Sequence, residues 1–84
     1  MGVRIRLFAR LREIAGTAEL SRDVPAPATA HAVWDGLARE FPELAAYTTA
    51  ISVAVNEEYA RMTTPVNDGD EVAFLPPVSG GARD

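Results

Sequence analysis

Hydrophobic and polar residues alternate along the first segment of the chain, residues 3–8. Strict alternation is typical of a strand that buries one face and exposes the other. The aliphatic side chains at the odd-numbered positions are therefore predicted to face a core. Phe8 ends the segment on the outward face, on the same side as Arg4 and Arg6, so it is an aromatic residue on a polar surface.

The following segments predict a short helix, a second strand and a long helix. Residues 9–15 form one or two helical turns that Gly16 stops, and residues 19–24 form a short strand. Two prolines then enforce a loop. Thr29 is a good N-cap for a helix that runs to about Phe41, because apolar residues recur along this stretch at helical spacing.

The second half of the chain predicts three more strands. Residues 51–55 and 71–75 alternate as the first segment does, and a short strand around 59–62 lies between them. A turn signal at 67–70 precedes the last strand, on which Leu75 faces outward.

This order of elements predicts an α+β fold of the ubiquitin-like β-grasp type. Strands at both ends of the chain surround one long helix, so we expect a mixed sheet of about five strands with that helix packed across it. Pro76 and Pro77 cannot continue a central strand. We therefore expect a β-grasp domain over residues 1–75 and a flexible C-terminal tail over residues 76–84.

Composition narrows the possible functions of such a domain. The 84 residues suffice for one domain, and they include no Cys, no Lys and a single histidine, His31. A thiolate nucleophile, a Schiff base and a two-histidine metal site are excluded, and no metal site is predicted. We expect a module that acts with partners and is not catalytic alone.

Charge and hydropathy indicate which classes of partner are not expected. The net charge of −4 argues against nucleic-acid binding, which favours a basic surface. No apolar run reaches the roughly 18 residues of a membrane helix, and arginines interrupt the N-terminal apolar segment, which is unlike a signal peptide. We therefore expect a cytoplasmic protein that binds neither nucleic acid nor a membrane.

The C-terminal segment carries the most informative motif. Gly80 and Gly81 form an adjacent pair, preceded by two prolines, Val78 and Ser79. A glycine end can pass through a narrow channel to an activating site because it has no Cβ, and the prolines favour an extended stem. From Pro76 to Gly81 this stem spans roughly 20 Å at full extension. The alternative interpretation is an ordinary disordered terminus.

Three segments carry a family resemblance. They are Leu-Phe-Ala-Arg-Leu-Arg-Glu-Ile-Ala-Gly at 7–16, Ala-Val-Asn-Glu-Glu-Tyr at 54–59, and the stretch from Asp-Gly-Asp-Glu-Val to Pro-Pro-Val-Ser-Gly-Gly at 68–81. They closely resemble the small subunit of molybdopterin synthase, the MoaD family, a sister of the thiamine sulfur carrier ThiS. The third segment is the most specific of the three.

The resemblance implies a sulfur carrier. In this family an E1-like activating enzyme adenylates the C-terminal glycine with ATP and magnesium, and sulfur then converts the glycine to a thiocarboxylate. The tail enters the large subunit of the synthase, which supplies the catalytic lysine, and two sulfurs pass to cyclic pyranopterin monophosphate. Gly81 matches the sulfur-bearing glycine and Gly80 the glycine before it. The carrier itself is expected to bind no cofactor.

The resemblance also implies a docking surface on the sheet face away from the long helix. Apolar positions of that surface match Phe8, Tyr59 and Leu75, and a basic contact beside it matches Arg12. The expected partner-binding residues are Phe8, Arg12, Tyr59, Leu75, Pro76, Pro77, Val78 and Ser79. The alternative is that Phe8 and Leu75 only cover a small core, and a clustered apolar patch would distinguish the two interpretations.

The residues after Gly81 depart from the family. Ala82, Arg83 and Asp84 follow it, so Gly81 has no free carboxylate as written. Removal of these three residues by a processing protease would expose one. If they are retained, the chain is instead a non-covalent ubiquitin-like binding module. A carrier that feeds another pathway, such as cysteine or thiamine biosynthesis, is a further possibility.

Overall fold

The structure is a computed structural model that describes residues 1–77. In chain order its elements are β1 (Gly2–Leu7), α1 (Ala9–Ala15), β2 (Glu19–Asp23), β3 (Ala28–Thr29), α2 (Ala30–Glu40), a 3₁₀ helix (Pro42–Tyr47), β4 (Ser52–Val55), β5 (Glu58–Ala60), β6 (Pro65–Val66) and β7 (Glu71–Leu75). Five strands form the main sheet in the order β2-β1-β7-β4-β5. β1 and β7 are parallel and the other neighbours are antiparallel. The predicted α+β class and mixed β-grasp sheet are confirmed.

The core lies between one face of this sheet and α2. The odd-numbered aliphatic residues of β1 are buried, as the alternation predicts. Trp34 of α2 is fully buried, and its ring centroid lies 5.0 Å from that of Phe74 on β7. Its indole Nε1–H donates to Thr48 Oγ1 at 2.9 Å, so the polar atom of this buried ring is satisfied. The helix therefore closes one side of the sheet and leaves the other side free.

The helix ends follow local chemistry. Thr29 is the N-cap of α2, since its hydroxyl accepts the amide N–H of Ala32. The amides of Ala30 and His31 donate to the carbonyls of Thr64 and Met62, so the loop before β6 satisfies the rest of the first turn. Both the N-cap and the end of α2 near Phe41 agree with the sequence.

The sequence pattern does not predict two short elements, the β3–β6 sheet and the 3₁₀ helix. β3 and β6 form a separate sheet of two residues per strand, which is too short to show any alternation. The 3₁₀ helix follows Pro42 and places Leu44 in the core with no exposed surface.

No helix within residues 1–77 is long and apolar enough to cross a membrane. The same residues contain no group of three or more potential metal ligands among His, Asp and Glu side chains.

Candidate docking face and C-terminal stem

The face of the main sheet opposite α2 is the candidate functional site. Strand register places Arg6 beside Ala73, Ala73 beside Ala54, and Ala54 beside Tyr59. Residues paired across neighbouring strands point to the same face, so these side chains form one row across four strands. The two central residues, Ala54 and Ala73, have small side chains, so the middle of the row protrudes less than its ends.

A shallow depression of about 200 Å³ lies over this row. Its lining residues are Arg6, Phe8, Ala54, Glu57, Tyr59, Glu71, Ala73 and Leu75. The structure thus brings together the three apolar residues that the family resemblance assigns to the docking surface, although they come from three separate segments. Ala73 is also outward, yet it is only 9% exposed because the larger side chains around it exclude solvent.

Exposure distinguishes the two interpretations of this surface. Among residues 1–77, the exposed large hydrophobic residues are Phe8 at 37% and Tyr59 at 81%. A ring as exposed as that of Tyr59 covers no core, and clustered aromatic exposure is typical of a surface that contacts another protein. The patch therefore favours docking, and the contact roles of its residues stay a prediction.

Backbone geometry fixes where Phe8 lies. The next residue, Ala9, has a φ of 51°, which turns the chain sharply from β1 into α1. The carbonyl of Phe8 accepts the amides of Leu11 at 3.1 Å and Arg12 at 3.4 Å, so Phe8 is also the N-cap of α1. The positive φ of an alanine has no signal in the sequence, so this turn could not be predicted.

The other predicted contact residues that the structure describes do not line the depression. Arg12 is exposed on α1. Pro76 is half-buried and Pro77 is exposed, directly after Leu75 at the end of β7. The predicted site residues Val78, Ser79, Gly80 and Gly81 lie outside the described residues.

The tip of the β4–β5 hairpin is pinned to the start of β7. Asn56 and Glu57 both have positive φ, as a tight two-residue hairpin turn requires. The Asn56 side chain donates to Asp70 Oδ1 at 3.0 Å and accepts the Glu71 amide at 3.0 Å. These bonds hold the end of β4 beside β7, and β5 with Tyr59 lies on the far side of β4.

Hydrogen bonding also stabilises the charged form of Asp70. The Asn56 side chain donates to one carboxylate oxygen and the Asn67 amide donates to the other, and together they lower the pKa of Asp70. The sequence marks residues 67–70 only as a turn. The bond between the turn and the hairpin depends on tertiary structure.

The chemistry of the depression is that of binding. Its lining combines aromatic rings, small aliphatic side chains, one guanidinium and two carboxylates, with neither the hydroxyl–imidazole pair of a nucleophilic site nor a ligand set for a metal ion. Such a lining is suited to contact with another protein.

Comparison with known proteins supplies independent information. A family model described as the ThiS family matches residues 5–81. The molybdopterin synthase sulfur carrier subunit of Arabidopsis thaliana is 37% identical over 79 residues, which cover 94% of this chain and 82% of that protein.

Solved structures show the same fold. The small archaeal modifier protein 1 of Haloferax volcanii matches with a TM-score of 0.80 and 31% identity, over 92% of this chain and 98% of that one. A chain of the BexX/CysO complex of Amycolatopsis orientalis matches with a TM-score of 0.71 and 26% identity, over 94% and 99% of the two chains.

Proposed function

The chain belongs to the ThiS family, and from that premise we propose that it is the sulfur-carrier small subunit of molybdopterin synthase. The observation that carries the proposal is the family match over residues 5–81, which ends on the Gly80-Gly81 pair. The relative named as a molybdopterin synthase sulfur carrier subunit supports this branch of the family, since most of both chains is matched.

The proposed chemistry takes place on the carboxyl group of Gly81. The carboxylate attacks the α-phosphate of ATP in a partner enzyme and releases pyrophosphate, which gives an acyl-adenylate. A sulfur nucleophile then displaces AMP, and the resulting thiocarboxylate donates its sulfur to cyclic pyranopterin monophosphate. The absence of Cys supports this route, because a carboxyl group is the place where this chain can hold transferable sulfur.

The proposed partners share the docking face. The large subunit and an E1-like adenylating enzyme, which uses ATP and magnesium, each cover Phe8, Tyr59 and Leu75 and receive the stem. From Pro77 to Gly81 an extended chain reaches about 17 Å, so the partner's active site lies within that distance of Pro77. A processing protease removes residues 82–84 before activation.

A second candidate function is attachment of the activated glycine to another protein. The likeness to a small archaeal modifier protein favours it, because that fold and identity extend over nearly the whole chain. Both functions begin with adenylation of Gly81 and differ in the acceptor. A carrier for another pathway would pass its sulfur to a different acceptor, and a non-covalent binding module would leave Gly81 unactivated.

ATP–pyrophosphate exchange tests the proposal. The assay uses the activating enzyme of the same organism and three chains, namely the full-length protein, the chain ending at Gly81, and that shorter chain with Gly81→Val. We expect exchange only with the chain ending at Gly81, because the full-length chain holds that carbonyl in a peptide bond and a valine side chain obstructs approach to the nucleotide.

Each different outcome has a definite meaning. If the chain ending at Gly81 is not activated, the carrier proposal is wrong. If the full-length chain exchanges equally fast without losing residues, Asp84 is the activated end. The mass of the protein from its native host then separates the acceptors, since a thiocarboxylate replaces one oxygen by sulfur, whereas a modifier is found joined to other proteins.

A further inference from the structure

Glu71 is an unusual residue on the docking face. It lies on central strand β7, points away from the core, and its side chain is only 16% exposed. Its carboxylate lies between two arginines of β1, with Oε1 3.8 Å from a guanidinium nitrogen of Arg4 and Oε2 3.7 Å from one of Arg6. The two arginines are about half exposed, so the carboxylate is the covered centre of this charged group.

The same group reaches the main aromatic residue of the patch. The guanidinium carbon of Arg6 lies 5.4 Å from the centroid of the Phe8 ring, within the range of a cation–π contact. The Arg6 guanidinium is therefore near both the Glu71 carboxylate and the Phe8 ring. Arg6, Phe8 and Glu71 all line the depression on this face.

We propose that Glu71 is a positioning residue of the docking face, which holds Arg6 against the Phe8 ring and so fixes the ring in the orientation that a partner meets. The backbone of Phe8 is already set by the turn at Ala9, but its ring keeps the freedom of its own torsions. A ring ordered before binding loses less conformational entropy when the partner arrives.

Glu71 would also neutralise the charge of Arg6 when a partner buries that side chain. A guanidinium that loses water without a counter-charge destabilises a complex. The Glu71 carboxylate is close to Arg6 and largely desolvated in the free protein, so it neutralises Arg6 without further rearrangement. Glu57 also lines the depression and adds a second carboxylate to it.

The substitution Glu71→Gln tests this role without disturbing the fold. The substitution keeps the size of the side chain, and the hydrogen bonds of Glu71 with Asn56 use its backbone amide and carbonyl, which remain. We expect an unchanged unfolding curve, shifted aromatic NMR signals of Phe8 in the free protein, and an affinity for the large subunit that falls about five- to tenfold.

A matched control and a double-mutant cycle make the test specific. Glu13→Gln releases Arg10 from an ion pair on α1 with the same change of charge, and it should alter neither the Phe8 signals nor the affinity. Phe8→Leu keeps an apolar side chain but removes the ring. In that background we expect Glu71→Gln to lower the affinity less than it does in the wild type, since the ring is gone and only the neutralisation of Arg6 remains.

The inference rests on the proposed function for its partner but not for its first measurement. Unchanged Phe8 signals in Glu71→Gln, an unchanged or stronger affinity, or an equal loss in the Phe8→Leu background would each overturn it. If the wild-type protein fails to bind the large subunit, the proposed function fails, while the NMR comparison still decides whether Glu71 positions Phe8.

Discussion

Phe8 and Tyr59 reach the same surface from distant parts of the chain, and each is held in a different way. Phe8 is fixed at the strand-to-helix turn by the hydrogen bonds of its carbonyl and by Arg6 against its ring. Tyr59 lies on edge strand β5, whose hairpin is tied to β7 through Asn56. The less exposed and better-supported Phe8 is the stronger candidate for an anchor, because anchors are well-packed residues near the centre of an interface.

Phe8→Asp is expected to weaken binding of the large subunit by more than about 2 kcal/mol, because it places a charge where a central apolar anchor should be. Isothermal titration calorimetry measures the affinity, and circular dichroism checks that the fold is intact. Ala46→Asp on the exposed 3₁₀ helix is the matched control and should bind as the wild type does. Unchanged affinity of a folded Phe8→Asp variant would remove Phe8 from the interface.

Thr48→Val is expected to destabilise the protein by about 1–2 kcal/mol. The substitution keeps the side-chain shape but removes the oxygen that accepts the indole N–H of Trp34, a residue without exposed surface. Urea unfolding of this variant and of Thr49→Val, its exposed neighbour, measures the difference. Equal stability of the two variants would show that the indole hydrogen bond contributes nothing measurable.

At the scale of elements, the contact between the β4–β5 hairpin and the turn before β7 organises the polar side of the docking face. Asn56 joins the two by hydrogen bonds with the Asp70 carboxylate and the Glu71 backbone. This contact thus helps to position both β5, which carries Tyr59, and the start of β7, which carries Glu71. A weakened contact here should loosen the hairpin before it affects the core, because few buried apolar residues lie in it.

The hairpin contact should weaken in acid. The pKa of Asp70 lies below its usual value of about 3.9, because the Asn56 side chain and the Asn67 amide donate to the charged carboxylate. Its contribution to stability is present above about pH 4 and is lost as pH falls through the lowered pKa. We expect Asp70→Asn to cost less than about 1 kcal/mol at pH 7, since the group is partly exposed, and to cost less still in acid.

A ¹³C NMR titration of the Asp70 carboxyl group tests the cause directly. A midpoint below the usual aspartate value is expected, and the Asn56→Ala variant should raise it because the largest stabilising hydrogen bond is then lost. A midpoint at or above about 3.9 would contradict the hydrogen-bonding explanation.

In the molecule as a whole, the two faces of the main sheet differ in what covers them. α2 and Trp34 close one face, while the opposite face keeps the patch around Ala54 and Ala73 accessible. The stem leaves from β7, the middle strand of the five, next to Leu75 and not from a distant edge. A partner that covers the patch is therefore already beside the stem.

A chain ending at Pro77 is expected to fold like the full-length protein, with a free energy of unfolding within about 0.5 kcal/mol. Within residues 1–77, every buried residue of the core cluster lies between Val3 and Phe74, so the shortened chain keeps all of these core residues. Urea unfolding compares the two chains. A loss well above that value would show that the predicted boundary between domain and tail is wrong.

Sequence alone determines the inward and outward faces of the strands, the start of the long helix and the C-terminal motif, because each depends on local chemistry. Alternation in β1 and β7 separates core positions from outward ones, Thr29 starts α2, and the Gly80-Gly81 pair with its family resemblance indicates the carrier chemistry. These features depend on residues a few positions apart, and the same pattern gives the same result wherever the segment lies in the fold.

Tertiary structure decides what lies side by side. Arg4 and Arg6 meet Glu71 only because β1 pairs in parallel with β7, where each paired residue lies 67 positions further along the chain. The pairing of Ala54 with Ala73, the solvent exclusion around Ala73 and the bonds of Asn56 with Asp70 likewise depend on strand neighbours that no local pattern specifies. Hydrophobic periodicity reports which face of a strand is buried but carries no information about which strand lies beside it, so the docking face emerges only when the sheet is assembled.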